Sequence, residues 1–168
     1  MTTQDLIDTC TASPLGQQPL ARFLAERGTR MSGAALPPGR RPGVPREAFR
    51  NAWDLSLSGR YQYWEGYAWH PDCGILPFHH AWGVEPETGR VHDVTWPDAA
   101  AAIYLGVHVP KDILLENLAR TEVFGILDKG HGLERETIKA VWGWVQPALS
   151  AQVEPARTRP TCPVETTG

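Results

Sequence analysis

The chain has 168 residues, of which 42% are hydrophobic and 21% charged, which is enough for one globular domain and hardly for two. Its formal net charge of −3 disfavours a nucleic-acid-binding surface, and no apolar run approaches the roughly 18 residues of a membrane span. Three cysteines without a CxxC pair indicate neither a disulfide framework nor a structural zinc site. We therefore expect a reducing, cytoplasmic setting, with no nucleic-acid or membrane partner.

The first third of the chain is predicted to hold helices separated by a long loop. Residues 3–27 have apolar positions at helical spacing, interrupted by a Pro-Leu-Gly break, and predict one or two helices. Residues 32–46 contain prolines and glycines throughout, which excludes a helix or a central strand and predicts a loop. A helix over 46–57 is expected next, because Pro45 suits a helix start.

The central third carries the strand signals. Residues 61–69 are aromatic and partly alternating, and a turn at 86–89 (PETG) separates two further strand-like runs. The predicted strands are 61–69, 78–85, 90–96 and 104–109.

The last third is predicted to return to helix and then to lose order. Helices are expected at 111–120 and 134–145, and the aperiodic residues 150–168 predict a disordered tail. The fold class is therefore α+β, a single domain over 1–149 with a central antiparallel sheet between N-terminal and C-terminal helices.

The predicted hairpin brings a histidine close to an aspartate. If Glu85 pairs with Arg90 across the four-residue loop, His80 and Asp93 become diagonal neighbours on one face of the sheet. A carboxylate on one imidazole nitrogen fixes the tautomer and leaves the other nitrogen as a general base. A buried histidine tied to a carboxylate only to satisfy both groups is the alternative interpretation.

Four short motifs around this hairpin carry a resemblance to known proteins. They are residues 63–68 (YWEGYA), 79–82 (HHAW), 92–96 (HDVTW) and 104–107 (YLGV). Their order resembles a group of small bacterial and phage proteins with the pattern EGYA, HAW, DxTW and YxGV. The order of histidine and aspartate also resembles the transglutaminase-like, papain-like cysteine hydrolases. The resemblance covers about residues 46–109.

The resemblance implies a papain-like core with its site at the N-terminus of helix 46–57, facing the central hairpin. His80 would be the general base or acid and Asp93 its orienting partner. The implied reaction is cysteine-dependent amide hydrolysis or acyl transfer on a peptide or an amide-containing small molecule, without a cofactor. In the proteins that the chain resembles, the helix before EGYA opens with a cysteine, an aromatic residue, one variable residue and Asn-Ala. Residues 48–52 (AFRNA) match at the aromatic and the Asn-Ala, but Ala48 stands where those proteins have the cysteine.

Ala48 decides the mechanism that can be expected of this chain. A helix N-terminus and a neighbouring imidazole would activate a thiol, whereas an alanine methyl supplies no nucleophile. The chain as written is therefore predicted to be inactive in that reaction. Cys73 lies in a loop between two predicted strands and lacks the helix N-terminal setting. Three explanations would account for the alanine: an engineered variant, a natural relative with lost or changed chemistry, or a misaligned motif.

A non-catalytic module that binds a peptide or a protein partner is the competing class. It would use the same cleft or the tryptophan-rich sheet to hold its partner. Around the His80–Asp93 site itself, Asn51, Glu65 and Trp82 are the expected binding residues. An acid such as Glu65 inside an aromatic strand must face water or find a partner, so a site-facing role is expected for it. Large aromatic residues in half-buried strands are most often core, which is the simpler interpretation of Trp82.

Metal binding is the third interpretation. His80 and Asp93 would supply two ligands, with a third from Glu65 or His70. His79 and His80 cannot readily share one ion, because adjacent residues of a strand point to opposite faces.

Overall fold

The computed structural model describes residues 5, 8, 9, 19–74 and 76–127 of the chain. Its helices and strands follow in chain order as α1 (Pro19–Arg27), β1 (Thr29–Ser32), α2 (Ala48–Ser56), β2 (Gln62–Trp69), β3 (Phe78–Glu85), β4 (Arg90–His92), β5 (Ile103–His108) and α3 (Lys111–Thr121). The five strands form one sheet in the order β1-β5-β2-β3-β4, and every neighbouring pair is antiparallel. The α+β class with a central antiparallel sheet is thus confirmed.

The two faces of the sheet bury different partners. On one face, here called the helical face, Tyr63, Ala81 and Leu105 pack in one cluster with residues of all three helices. The other face, here called the loop face, carries Trp82 and Tyr104 in a second cluster, which Ala102 and Trp96 from the β4–β5 connection complete. Alternation along each strand separates the two sets, since successive side chains point to opposite faces.

The hairpin between β3 and β4 has the predicted register. Glu85 pairs with Arg90, and Gly83 pairs with His92. Gly89 closes the four-residue loop with a positive φ of 67°, and its N–H donates to the Glu85 carbonyl at 2.8 Å. Strand β4 ends at His92 and is shorter than the predicted strand 90–96, because the chain turns where Asp93 Oδ1 accepts a hydrogen bond from the N–H of Thr95.

A glycine allows the loop face to pack closely. A Cβ at Gly106 would lie 2.5 Å from the ring of Trp82, so only glycine at this position lets the indole lie across β5. The aromatic cluster beside His80 depends on this close approach.

The predicted helices 46–57 and 111–120 are confirmed as α2 and α3, and the predicted loop 32–46 contains no helix or strand from 33 to 47. Strand β1 is not in the prediction; it forms by pairing four largely exposed residues with β5. Of the predicted segment 3–27, residues 19–27 form α1 and residues 5, 8 and 9 are helical. The predicted helix 134–145, the tail 150–168, Cys10 and Cys162 lie outside the described residues.

Candidate functional site

Strand β3 places two adjacent imidazoles on opposite faces of the sheet. His80 pairs with Gly66 on β2 and stacks on the indole of Trp96, on the loop face. His79 pairs with Tyr67 and contacts the ring of Phe49 from α2, on the helical face. Each imidazole meets a carboxylate on its own face, so the sheet separates two histidine–acid pairs.

The pair on the loop face is the predicted one. His80 Nε2 lies 2.7 Å from Asp93 Oδ2, and the two residues are only 2% and 1% exposed. The structure therefore brings together the two residues that the hairpin register predicted as neighbours. With Asp93 ionised, the Nε2 nitrogen carries the proton of a neutral ring.

Two further groups donate hydrogen bonds to the carboxylate of Asp93. Its Oδ1 accepts the N–H of Thr95 at 2.8 Å, and its Oδ2 accepts the hydroxyl of Tyr104 at 3.0 Å. Burial, together with the charge of Asp93, raises the pKa of Tyr104 far above its ordinary value, so the phenol stays protonated and donates. Asp93 thus joins β3, β5 and its own loop.

Aromatic rings fix the orientation of His80. Its ring lies 4.2 Å from that of Trp96, centroid to centroid, with the two planes 7° apart. Phe78 meets the imidazole edge-on at 5.7 Å. Trp82, a predicted binding residue, is 1% exposed and belongs to this cluster. Its indole N–H has no hydrogen-bond partner among the described residues.

The pair on the helical face was not predicted from sequence. His79 Nε2 lies 3.0 Å from Glu65 Oε1, and the Glu65 side chain is 0% exposed. The available signal was the strand parity: Glu65, Tyr67 and His79 share a face wherever β2 and β3 pair in this register.

Glu65 also anchors the segment that follows α3. Its carboxylate accepts the N–H of Leu127 at 2.7 Å, the N–H of Ile126 at 2.9 and 3.0 Å, and the Tyr63 hydroxyl at 3.1 Å. Burial and the neighbouring charge of Glu65 raise the pKa of Tyr63 well above its ordinary value. The acid predicted to face a site is therefore also a structural acceptor for the backbone.

Ala48 is the first residue of α2 and is buried. The helix packs on the helical face, with the ring of Phe49 4.9 Å from that of His79 and Leu55 against Gly83. The structure thus brings His79 to the beginning of α2, whereas His80 points to the opposite face. The role assigned to Ala48 stays a prediction.

Asn51 connects α2 to the loop before it and to the segment that carries Asp93. Its Nδ2 donates to the Val44 carbonyl at 2.7 Å and to Thr95 Oγ1 at 3.1 Å, while its Oδ1 accepts the N–H of Val44 at 2.9 Å. Gly43 permits this clamp, because a Cβ there would lie 2.5 Å from Asn51 Oδ1. Both the nitrogen and the oxygen of the Asn51 amide are therefore hydrogen-bonded, and these bonds hold the proline-rich loop in one conformation.

An open groove of about 760 Å³ runs between this loop and α2. Arg40, Arg41 and Asp54 are exposed residues that line it. Among the described residues, the Arg40 guanidinium has no carboxylate partner; it lies 5.7 Å from the centroid of the Tyr61 ring. The groove therefore presents charges of both signs beside a wall with a fixed backbone.

No group of three or more His, Cys, Asp or Glu side chains within the described ranges is placed to hold a metal ion. Of the two proposed third ligands, Glu65 lies on the face opposite His80. His70 Nε2 lies 3.0 Å from the Asp98 carbonyl and its Nδ1 accepts the N–H of Asp72.

Cys73 is an exposed free cysteine in a single turn of 3₁₀ helix, Pro71–Cys73. No helix in the described part of the chain has the length and apolar character needed to cross a membrane. Comparisons with protein-family models, with curated proteins and with solved structures found no match.

Proposed function

We propose that this chain is a papain-like or transglutaminase-like domain without a thiol nucleophile, and that it binds a peptide or an amide-containing ligand without cleaving it. One observation carries the proposal: the His80–Asp93 pair is present but buried and bonded on the loop face, and an alanine begins α2. The pair is retained as part of the core, in the arrangement expected of a non-catalytic module.

The chemistry of the pair supports this conclusion. A general base must come within about 3 Å of the proton that it removes. The side chains of His80 and Asp93 are 3% and 1% exposed, and Asp93 already accepts from Thr95 and Tyr104. The methyl group of Ala48 has no proton or lone pair to contribute.

The groove beside α2 is the proposed ligand site. Its volume of about 760 Å³ lies within the range of small-molecule sites. Arg41 and Asp54 offer charge-assisted hydrogen bonds to the two ends of a short peptide. The clamp from Asn51 to Val44 holds the loop in place before binding, which lowers the entropy cost of ordering it.

Two-dimensional NMR with alanyl-alanine tests binding, with N-acetyl-alanyl-alanine amide as the probe that lacks both terminal charges. We expect saturable shift changes at residues 39–45 and 51–55, weaker for the blocked peptide. Arg41→Gln should weaken binding of the free dipeptide, whereas Arg120→Gln on the exposed surface of α3 should not.

Mass spectrometry of both peptides after prolonged incubation tests the absence of catalysis. Intact peptides are expected. Cleavage by the unmodified chain would overturn the non-catalytic proposal. The absence of saturable binding to either peptide would overturn the binding proposal.

A further inference from the structure

We infer that the groove beside α2 selects peptides whose last residue is acidic, and that Arg40 binds the carboxylate of that side chain. The inference rests on the proposed binding of peptides in this groove, and it names the class of peptide. Arg40 and Arg41 are adjacent in the chain, and both line the groove.

The charge of Arg40 carries the first step. Its guanidinium has no carboxylate partner among the described residues and lies 5.7 Å from the centroid of the Tyr61 ring. A second guanidinium, that of Arg60, lies 5.4 Å from the same centroid. Glu85 neutralises Arg60, because its Oε1 accepts from Nε at 3.2 Å and from Nη2 at 2.9 Å. Of the two cations beside Tyr61, Arg40 is therefore the one that can still pair with an anion.

The position of Arg40 is fixed before a ligand arrives, which carries the second step. The N–H of Arg40 donates to the Pro37 carbonyl at 3.0 Å, and the N–H of Gly43 donates to the Val94 carbonyl at 2.7 Å. The Tyr61 ring beside the guanidinium is 8% exposed and packs in the core with Val94. A guanidinium attracted to a fixed aromatic ring loses less freedom when its planar fork binds a carboxylate.

The distribution of charge across the groove carries the third step. Arg40 and Arg41 belong to the loop, and Asp54 belongs to α2 on the other side. A peptide that ends in glutamate or aspartate has two carboxylates on its last residue. Two adjacent arginines match them, with Arg41 on the α-carboxylate and Arg40 on the side chain. Asp54 binds the amino group at the other end, so the groove favours one direction of the peptide.

Titration of the full chain with alanyl-glutamate and alanyl-glutamine, followed by two-dimensional NMR, tests the inference without any substitution. The two dipeptides are nearly equal in size and differ in the charge of one side chain. We expect alanyl-glutamate to bind about fivefold more tightly, the upper range for an exposed ion pair. Glutamyl-alanine has the same composition and net charge as alanyl-glutamate and should bind more weakly, because its acidic residue comes first.

Three variants assign the preference to Arg40. Arg40→Gln should abolish the preference for alanyl-glutamate over alanyl-glutamine. Arg40→Lys keeps the charge but not the planar fork, so it should keep only part of the preference. Arg120→Gln makes the same change in net charge on the exposed surface of α3 and should leave the preference intact.

Equal affinities of the unmodified chain for alanyl-glutamate and alanyl-glutamine would overturn the inference, and so would a preference that survives Arg40→Gln. Glutamyl-alanine binding as tightly as alanyl-glutamate would overturn the assignment to the last residue. Each of these results leaves the proposed function standing when alanyl-alanine binds saturably at residues 39–45 and 51–55. Saturable binding of none of the dipeptides would overturn the proposed function and the inference together.

Discussion

The two histidine–acid pairs of β3 are nearly identical in distance and differ in what surrounds them. On the loop face, Asp93 bonds His80 at 2.7 Å and a phenol at 3.0 Å, and the imidazole is stacked in the core. On the helical face, Glu65 lies 3.0 Å from His79 and accepts hydrogen bonds mainly from backbone N–H groups, and both ring nitrogens of His79 are buried.

The comparison shows that a short histidine–carboxylate distance does not by itself identify a catalytic pair. What distinguishes the two pairs is the set of other groups that donate hydrogen bonds to each acid. Asp93 accepts hydrogen bonds from groups inside the core. Glu65 accepts hydrogen bonds from the backbone of a distant segment and so holds that segment on the sheet. We expect changes to the two acids to have the largest effects, followed by changes to the phenols that donate to them and to a third buried histidine.

The largest expected effect is that of Glu65→Ala. The change leaves two backbone N–H groups and the Tyr63 hydroxyl without their buried acceptor, and removes the carboxylate that lies 3.0 Å from His79. We expect a loss of about 4 kcal/mol in the free energy of unfolding, measured by urea denaturation. Glu65→Gln, which keeps one carbonyl oxygen, should lose less. A loss below about 1 kcal/mol for the alanine variant would contradict the anchoring role.

Asp93→Asn is expected to cost about 2 kcal/mol, less than Glu65→Ala, because the amide keeps an acceptor for the N–H of Thr95. The amide nitrogen would face His80 and Tyr104, which can adapt by changing tautomer and by accepting a hydrogen bond. Urea denaturation again gives the number. A loss as large as that of Glu65→Ala would mean that the charge of Asp93 matters more than its hydrogen bonds.

The two phenols give a matched pair of smaller changes. Tyr104→Phe removes one hydrogen bond to Asp93, and Tyr63→Phe removes one to Glu65. Each should cost about 1.5 kcal/mol, since each removes a donor from a buried carboxylate that keeps other donors. Thermal and urea unfolding of both variants measure the difference. A cost confined to one variant would show that only one carboxylate depends on its phenol.

His92 extends the comparison to a buried histidine to which no acid of the described residues is bonded. Its Nε2 has no hydrogen-bond partner among the described residues, and its ring contacts that of Tyr61. Burial lowers the pKa of His92 below its ordinary value of about 6.5, so the unfolded chain binds the proton more readily. This contribution is fully present above pH 6.5 or so and is lost as the pH falls toward the folded-state pKa.

The stability of the chain should therefore decline on acidification, with a slope from this one group of at most about 1.4 kcal/mol per pH unit. His92→Phe keeps an aromatic ring against Tyr61 and should make the slope shallower, as measured by melting temperature between pH 7 and pH 5. Burial also lowers the pKa of His108, so some slope should remain. An unchanged slope would show that His92 does not titrate with folding.

The register of the β3–β4 hairpin is the one that follows from the sequence if residues 86–89 form a four-residue loop, so that Glu85 pairs with Arg90. Once Glu85 faced Arg90, alternation placed His80 and Asp93 on one face, and the structure has that pairing. Strand β1 was not predictable in the same way: three of its four residues are exposed, and its extended form depends on β5, more than seventy residues later.

Local sequence patterns also could not predict which groups donate hydrogen bonds to Glu65. The sequence marks the acid as needing a partner, but its donors at Ile126 and Leu127 are backbone groups more than sixty residues away. Backbone N–H groups carry no sequence signature, and which of them returns to a buried acid is decided by the whole fold. The end of β4 at His92 likewise depends on the local bond from Thr95 to Asp93.

The attachment of residues 126 and 127 to Glu65 also has a mechanical consequence. A pulling force that reaches the backbone at residue 127 would load the hydrogen bonds from two successive amides to one carboxylate at the middle of the sheet before it reached α3. Because these hydrogen bonds are donated by backbone N–H groups, they do not depend on which side chains residues 126 and 127 carry. These hydrogen bonds would keep the force from separating α3 from the helical face one residue at a time.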